Sequence, residues 1–123
     1  MIEYLSGLLI EKFPSYCIMD VNGIGYKINC TINCYDQLPQ KKTDVKLLIH
    51  FHIHENNQDL YGFFDDIERD LFRMLISISG IGPKTAIGML SAVAPNEFKN
   101  RLIAGEVKLL TSLPGIGPKT AKR

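Results

Sequence analysis

Cysteine is sparse in this 123-residue chain, and what there is does not pair: Cys17, Cys30 and Cys34 are odd in number and form no Cys-x-x-Cys motif. Such a set excludes a secreted disulfide framework and reads as buried, inert thiols in a reducing compartment. Long apolar runs are also missing. None approaches the ~18 residues of a membrane span, and Met1 leads straight into a strand pattern with no charged-then-apolar leader before it. The expectation is a cytoplasmic protein without membrane contact. Net charge is nearly absent too, at +1. With 46% hydrophobic, 22% charged and 9% aromatic residues the composition is globular, which excludes wholesale disorder and fibrous repeats. The length suits one ordinary domain or two very small ones.

The small net charge conceals an asymmetry. Residues 1–63 carry five basic side chains (Lys12, Lys27, Lys41, Lys42, Lys46) against seven acidic ones, a net of −2. From Arg73 to Arg123 eight basic residues face only Glu97 and Glu106, a net of +6. A basic half joined to a faintly acidic half suggests that the C-terminal part meets a polyanion, although a solvated, lysine-rich helical surface gives the same count.

The two halves also differ in period. Val45, Leu47, Ile49, Phe51 and Ile53 alternate with mostly polar neighbours, as in a half-buried strand. Residues 16–21 and 24–30 flank Asn22-Gly23, a pair that tolerates positive φ at both centres of a tight hairpin. Residues 1–11 and 60–63 complete about five strands, and residues 39–44 read as a polar connection. Five short strands in so little chain suggest a small barrel, since closure removes exposed edges. At Phe64-Asp65-Asp66 the period becomes helical: Ile67, Leu71, Met74, Leu75 and Ile78 recur at three- and four-residue spacing, behind carboxylates suited to a helix start. Further helices are expected at about residues 84–91, 96–104 and 107–112. The expected organisation is a β-barrel domain over 1–63 and an all-α domain over 64–123.

The strongest signal is internal repetition. Gly80-Ile-Gly-Pro-Lys-Thr-Ala86 recurs unchanged, thirty-five residues later, as Gly115-Ile-Gly-Pro-Lys-Thr-Ala121. Two glycines around one apolar residue allow a sharp turn whose Ile81 or Ile116 plugs into the core. Pro83 and Pro118 suit the first turn of the next helix, where a missing N–H costs nothing. The remaining amides at that helix start are a ready phosphate site, and Lys84 and Lys119 set a cation beside it. Contacts of this kind read the nucleic-acid backbone and not the bases, so binding should be sequence-independent and salt-sensitive. A P-loop needs Gly directly before Lys-Thr; Pro83 and Pro118 stand there and set ATP binding aside. One copy alone would pass for a helix–turn–helix corner. Two copies, each with lysine and both in the basic half, favour DNA binding.

These segments resemble the helix-hairpin-helix, and a tandem pair behind a five-stranded OB-like barrel resembles the RuvA family of Holliday-junction-binding proteins. The opening Met1-Ile2, Gly7, Glu11-Lys12, the hairpin Val21-Asn-Gly-Ile-Gly-Tyr26 and Leu60-Tyr-Gly-Phe63 are similar to that family's barrel. The resemblance implies a non-catalytic homotetramer, or an octamer on DNA, whose concave face receives a four-way junction in homologous recombination and DNA repair. It implies DNA contacts at Gly80, Ile81, Gly82, Lys84 and Thr85 in one hairpin and at Gly115, Ile116, Gly117, Lys119 and Thr120 in the other. It also implies the RuvB ATPase and the RuvC resolvase as partners, and an acidic pin at the tetramer centre. The matching loop is His54-Glu55-Asn56-Asn57-Gln58-Asp59, where Glu55 takes the first acidic position and Asn56 replaces a second acid, so strand separation should be weaker. The chain ends at Lys119-Thr-Ala-Lys-Arg123, about one turn into the helix after the second hairpin, and one turn is hard to hold alone. A fragment or a prematurely ended frame is expected, with the first hairpin the firmer contact and RuvB recruitment absent.

Two weaker constellations remain. His50, His52 and His54 share one strand face and, with Cys30 and Cys34, could be imagined around zinc, but the spacing matches no standard finger and edge-strand surface histidines explain them better. Asp65, Asp66, Glu68 and Asp70 could suggest a two-metal nuclease site. Helix capping explains them better, with Arg69 and Arg73 answering such charges across protomers in the family. No catalytic residue, metal or cofactor is therefore expected. The alternatives are a tandem hairpin module of another repair enzyme, which needs catalytic residues absent here, and an OB-type single-strand binder, which the acidic barrel half disfavours.

Overall fold

A computed structural model of the chain describes residues 1–92. It divides into two compact units, Met1–Arg69 and Asp70–Arg123. The first unit is a closed barrel of five strands, β1 (Tyr4–Phe13), β2 (Tyr16–Val21), β3 (Ile24–Cys30), β4 (Asp44–His54) and β5 (Asn57–Phe63), hydrogen-bonded in the order β1-β2-β3-β5-β4. A short helix, α1 (Ile32–Gln37), joins β3 to β4; α2 (Asp66–Ile76) and α3 (Pro83–Ala92) follow the barrel.

The β2–β3 hairpin has the bounds its turn dictates. Asn22 (φ 53°) and Gly23 (φ 90°) both take positive φ, and the Gly23 amide donates to Asp20 Oδ1 at 2.8 Å. That twist matches the strands it joins, fixing the register from Val21↔Ile24 to Tyr16↔Asn29. All neighbours are antiparallel except β3 and β5, whose parallel ladder (Ile28↔Leu60, Asn29↔Tyr61, Cys30↔Gly62) closes the barrel. The alternation read in residues 45–53 turns Val45, Leu47 and Ile49 inward onto Leu9, Met19 and Ile28. The three cysteines are buried and free. Burial pushes the Cys17 thiol up to about 12, and the hydrogen bond with Cys30, with burial added, pushes the Cys34 thiol up as well, so these two pack as neutral apolar groups.

Four details differ from the sequence pattern. Strand β1 begins at Tyr4 and runs on to Phe13, because it pairs first with β4 (Tyr4↔Leu48 to Leu8↔Asp44) and then, through an irregularity between Leu9 and Glu11, with β2 as far as Phe13↔Tyr16. Strand β5 starts at Asn57 and not Leu60, since its ladder with β4 continues to the turn at His54↔Asn57. Strand β4 is not an edge strand: β1 and β5 flank it. Helix α1 has no counterpart in the sequence pattern. It is six residues long, with Thr31 as N-cap accepting from the Cys34 amide at 3.0 Å. The helices expected over 96–104 and 107–112 lie outside the described residues.

Gly7 marks where β1 passes from one partner strand to the other. A Cβ there would collide with the Asp20 carbonyl oxygen and touch Val21, so no side chain fits. Gly7→Ala should therefore destabilise the barrel by about 2 kcal/mol or more through a forced backbone shift. Gly25→Ala, where the nearest atom is Ile18 Cγ2 at 4.0 Å, should be nearly silent. Urea unfolding midpoints of the two variants test the contrast.

Candidate nucleic-acid interface

The first repeat forms the corner between α2 and α3. Helix α2 ends in tightened turns, with the Ser77 amide bonded to Met74 O (3.2 Å) and Ile78 to Leu75 O (3.0 Å). Gly80 then takes φ 91°, a conformation side-chain-bearing residues resist, and the Ile81 amide returns to Ile78 O at 3.1 Å. Ile81 is buried, as the plug reading requires. Gly82 is exposed, and its carbonyl accepts the Ala86 amide at 3.0 Å, which makes it the N-cap of α3. Pro83 opens the helix as its first residue. The amides of Lys84 and Thr85 fall in the first turn, where a helix offers them no acceptor of its own. Lys84 is exposed and Thr85 half-buried beside them. No acidic residue lies in that first turn, so the positive end of the helix faces no local carboxylate. The second repeat, with Gly115, Ile116, Gly117, Lys119 and Thr120, lies outside the described residues.

The acid-bearing loop is a projecting hairpin. β1 accompanies β4 to Leu48, with one further backbone bond from the Ile49 amide to Glu3 O at 2.8 Å, and the β4–β5 ladder runs on from Ile49↔Gly62 to His54↔Asn57. Glu55 and Asn56 form its two-residue turn, with Glu55 exposed at φ 50°. Asp59 is exposed and pairs with His52 across the ladder. His50, His52 and His54 run along one face, with successive ring centroids 5.8 and 6.2 Å apart. Cys30 and Cys34 belong instead to the buried core, so the structure does not bring thiols and imidazoles together. Among the described residues no three His, Cys, Asp or Glu side chains are grouped as a metal centre requires.

The acidic cluster at the start of α2 resolves into separate tasks. Asp65 Oδ1 caps the helix, accepting the Glu68 amide at 2.8 Å. Glu68 itself is buried, and its carboxylate accepts from Thr31 Oγ1 (3.1 Å to each oxygen) and from Asn33 Nδ2 (3.3 Å). Arg69 Nη1 donates to Glu3 O at 2.9 Å and meets Glu3 Oε2 at 3.3 Å. Glu68 and Arg69 thus anchor the first turn of α2 to the barrel within one chain. The signal was present: residues 68, 71, 72 and 75 fall at helical spacing and are all buried, whereas Ile67 and Met74 are exposed.

A closed five-stranded barrel followed by a Gly-Ile-Gly helix-hairpin-helix corner defines a barrel-plus-hairpin class of protein. Residues 1–62 match the family model described as RuvA N terminal domain, and residues 72–123 match the SAM-like helix-hairpin-helix tandem. The chain belongs to the RuvA family. It is 41% identical over 110 residues (89% of this chain, 55% of the relative) to the Holliday junction branch migration complex subunit RuvA of Chloroherpeton thalassium. To the proteins of the same name from Coxiella burnetii and Idiomarina loihiensis it is 41% and 43% identical over 98 residues, 80% of this chain and 49% and 48% of theirs. The chain spans about half the length of the curated relatives it matches.

Burial pushes the Glu68 carboxyl above the ordinary glutamate range, against the hydrogen bonds from Asn33 and Thr31 that favour its charged form. The folded state therefore binds this proton more tightly than the unfolded chain. The stability it contributes is complete below the unfolded value and declines as pH rises through the folded one. Denaturant unfolding at pH 5 and pH 8 should show wild type losing stability at the higher pH by an increment that Glu68→Gln removes. Glu68→Ala should cost about 2 kcal/mol at both, because Thr31 and Asn33 lose their buried acceptor.

Proposed function

We propose that this chain is a non-catalytic, structure-specific binder of four-way (Holliday) junction DNA, working as a homotetramer, or an octamer on DNA, in a branch migration complex of recombination and repair. Its relatives' shared name supports the reading, and RuvB as the ATPase and RuvC as the resolvase are the partners it implies. The work is done in the cytoplasm. The barrel of residues 1–63 supplies assembly and the pin at Glu55, and residues 64–123 grip duplex arms. Gly82, Lys84 and Thr85 hold phosphate at the first hairpin, on a turn that Gly80 shapes and that Ile81, buried and with its amide bonded to Ile78 O, anchors; Gly115, Ile116, Gly117, Lys119 and Thr120 form the matching site at the second.

The observation that carries this reading is the unchanged seven-residue repeat, whose first copy buries Ile81 and leaves Gly82 and Lys84 exposed at a helix start. Backbone amides and a lysine contact phosphate without reading bases, so specificity comes from the shape of the DNA and the symmetry of the assembly. The single acid at the turn, with Asn56 beside it, gives four protomers four tip carboxylates, fewer than the family pattern implies.

Band-shift titration of an immobile four-way junction against linear duplex of equal length, at two salt concentrations, tests the proposal. Strong junction preference that weakens with salt is the expected result; equal, weak binding to both would reduce the function to generic phosphate binding. Lys84→Gln should lower junction affinity about tenfold and flatten the slope of log affinity against log salt by about 1 for each phosphate that the lysine no longer neutralises.

A further inference from the structure

The projecting β4–β5 hairpin carries, besides its acid, a row of histidines for which the junction reading has no use. His52 and His54 lie on one face with rings stacked at 6.2 Å, beyond the point where β1 stops flanking β4. The groups facing them are known from both strands. On β4, His50 lies 5.8 Å from His52, and at the turn Glu55 Oε1 lies 3.9 Å from His54 Nε2. On β5, Asp59 stands opposite His52, Tyr61 meets its ring edge-on at 6.4 Å, and Asn57 stands opposite His54. Two carboxylates and two exposed or half-exposed imidazoles thus share the outer part of one hairpin.

We propose that His52 and His54 form a second DNA-contact surface, whose imidazolium forms meet phosphate and offset Glu55 and Asp59, so that protons set whether this hairpin repels or holds the strand beside it. With neutral rings the outer hairpin carries two negative charges and repels phosphate. With both rings protonated those charges are cancelled, and the ring N–H groups that do not face Glu55 are available to a phosphate. A nearby phosphate favours the imidazolium, so binding takes up protons and affinity rises as the pH is lowered.

This inference rests on the junction-binding reading for the hairpin's position, and its test separates the two. Fluorescence anisotropy of the full chain with labelled junction and labelled duplex, at pH 8.0 and 6.0, constant ionic strength and in EDTA, is compared with His52→Gln/His54→Gln and His52→Lys/His54→Lys. Wild-type junction affinity should rise about fivefold at the lower pH. The Gln pair should be flat, and the Lys pair should show the low-pH affinity at both values. A pH response identical in wild type and the Gln pair, on whichever DNA binds, overturns the histidine surface. A response present without EDTA and lost with it assigns the effect to a bound metal and overturns it equally. Loss of junction preference, with the histidine-dependent response intact on duplex, would defeat the function proposed above and leave this surface standing.

Discussion

The projecting hairpin and the seat of α2 both depend on the parallel pairing of β3 with β5. Only three residue pairs make that ladder, helped by the Asn29 side chain donating to the Leu60 carbonyl at 3.1 Å. An antiparallel sheet of this size would otherwise leave two open edges, each a row of unpaired backbone groups. Parallel neighbours need a connection that crosses the barrel, and the chain provides it as α1 followed by the long strand β4. Because β4 must pair with β1 on one side and β5 on the other, its surplus length has nowhere to go but outward with β5. The projecting hairpin follows from barrel closure.

The same crossover explains how the first turn of α2 is held. Thr31, the first residue after β3, caps α1 and also donates to Glu68. One hydroxyl therefore ties the end of the closing strand, the crossover helix and the first turn of α2 together. Arg69 adds a second tie to Glu3, next to β1. A buried carboxylate is a costly anchor, retained here with donors on it, and a buried side-chain nitrogen without a hydrogen-bond partner, Arg69 Nε, belongs to the next residue.

Sequence pattern made the barrel legible where local chemistry sets geometry. Asn22-Gly23 imposes the turn, so β2 and β3 have the bounds read from it; alternation in β4 names the inward Val45, Leu47 and Ile49, but Ile53, in the same pattern, is exposed on the outer hairpin. Repetition of the Gly-Ile-Gly corner pointed to the buried Ile81 and the helix start at Pro83. What stayed hidden is set by tertiary contact. A six-residue helix such as α1 is below the length that propensity can support alone. The first residues of β5 are polar and exposed and read as loop, although their backbone is paired. Glu68 has the composition of a cap residue and the position of a core residue, and only its partners at Thr31 and Asn33 decide between them.

The two surfaces proposed to meet DNA obey different electrostatics. At the Gly80–Thr85 corner the donors are backbone amides and a lysine, whose charge state is fixed over the range where proteins fold. Salt is the variable that weakens such contacts, through the counterions phosphate takes back. On the β4–β5 hairpin the groups are carboxylates and imidazoles within one or two residues of each other along or across the ladder, and the variable proposed there is the proton. The Asn56 substitution shifts that balance: with one acid fewer at the turn, the two histidines suffice to cancel Glu55 and Asp59, where a second tip carboxylate would leave the hairpin negative even when both rings are charged. In the proposed reading, the single acid at the tip and the histidine row behind it act as one electrostatic unit, a pin whose repulsion of phosphate would be switched off by protons.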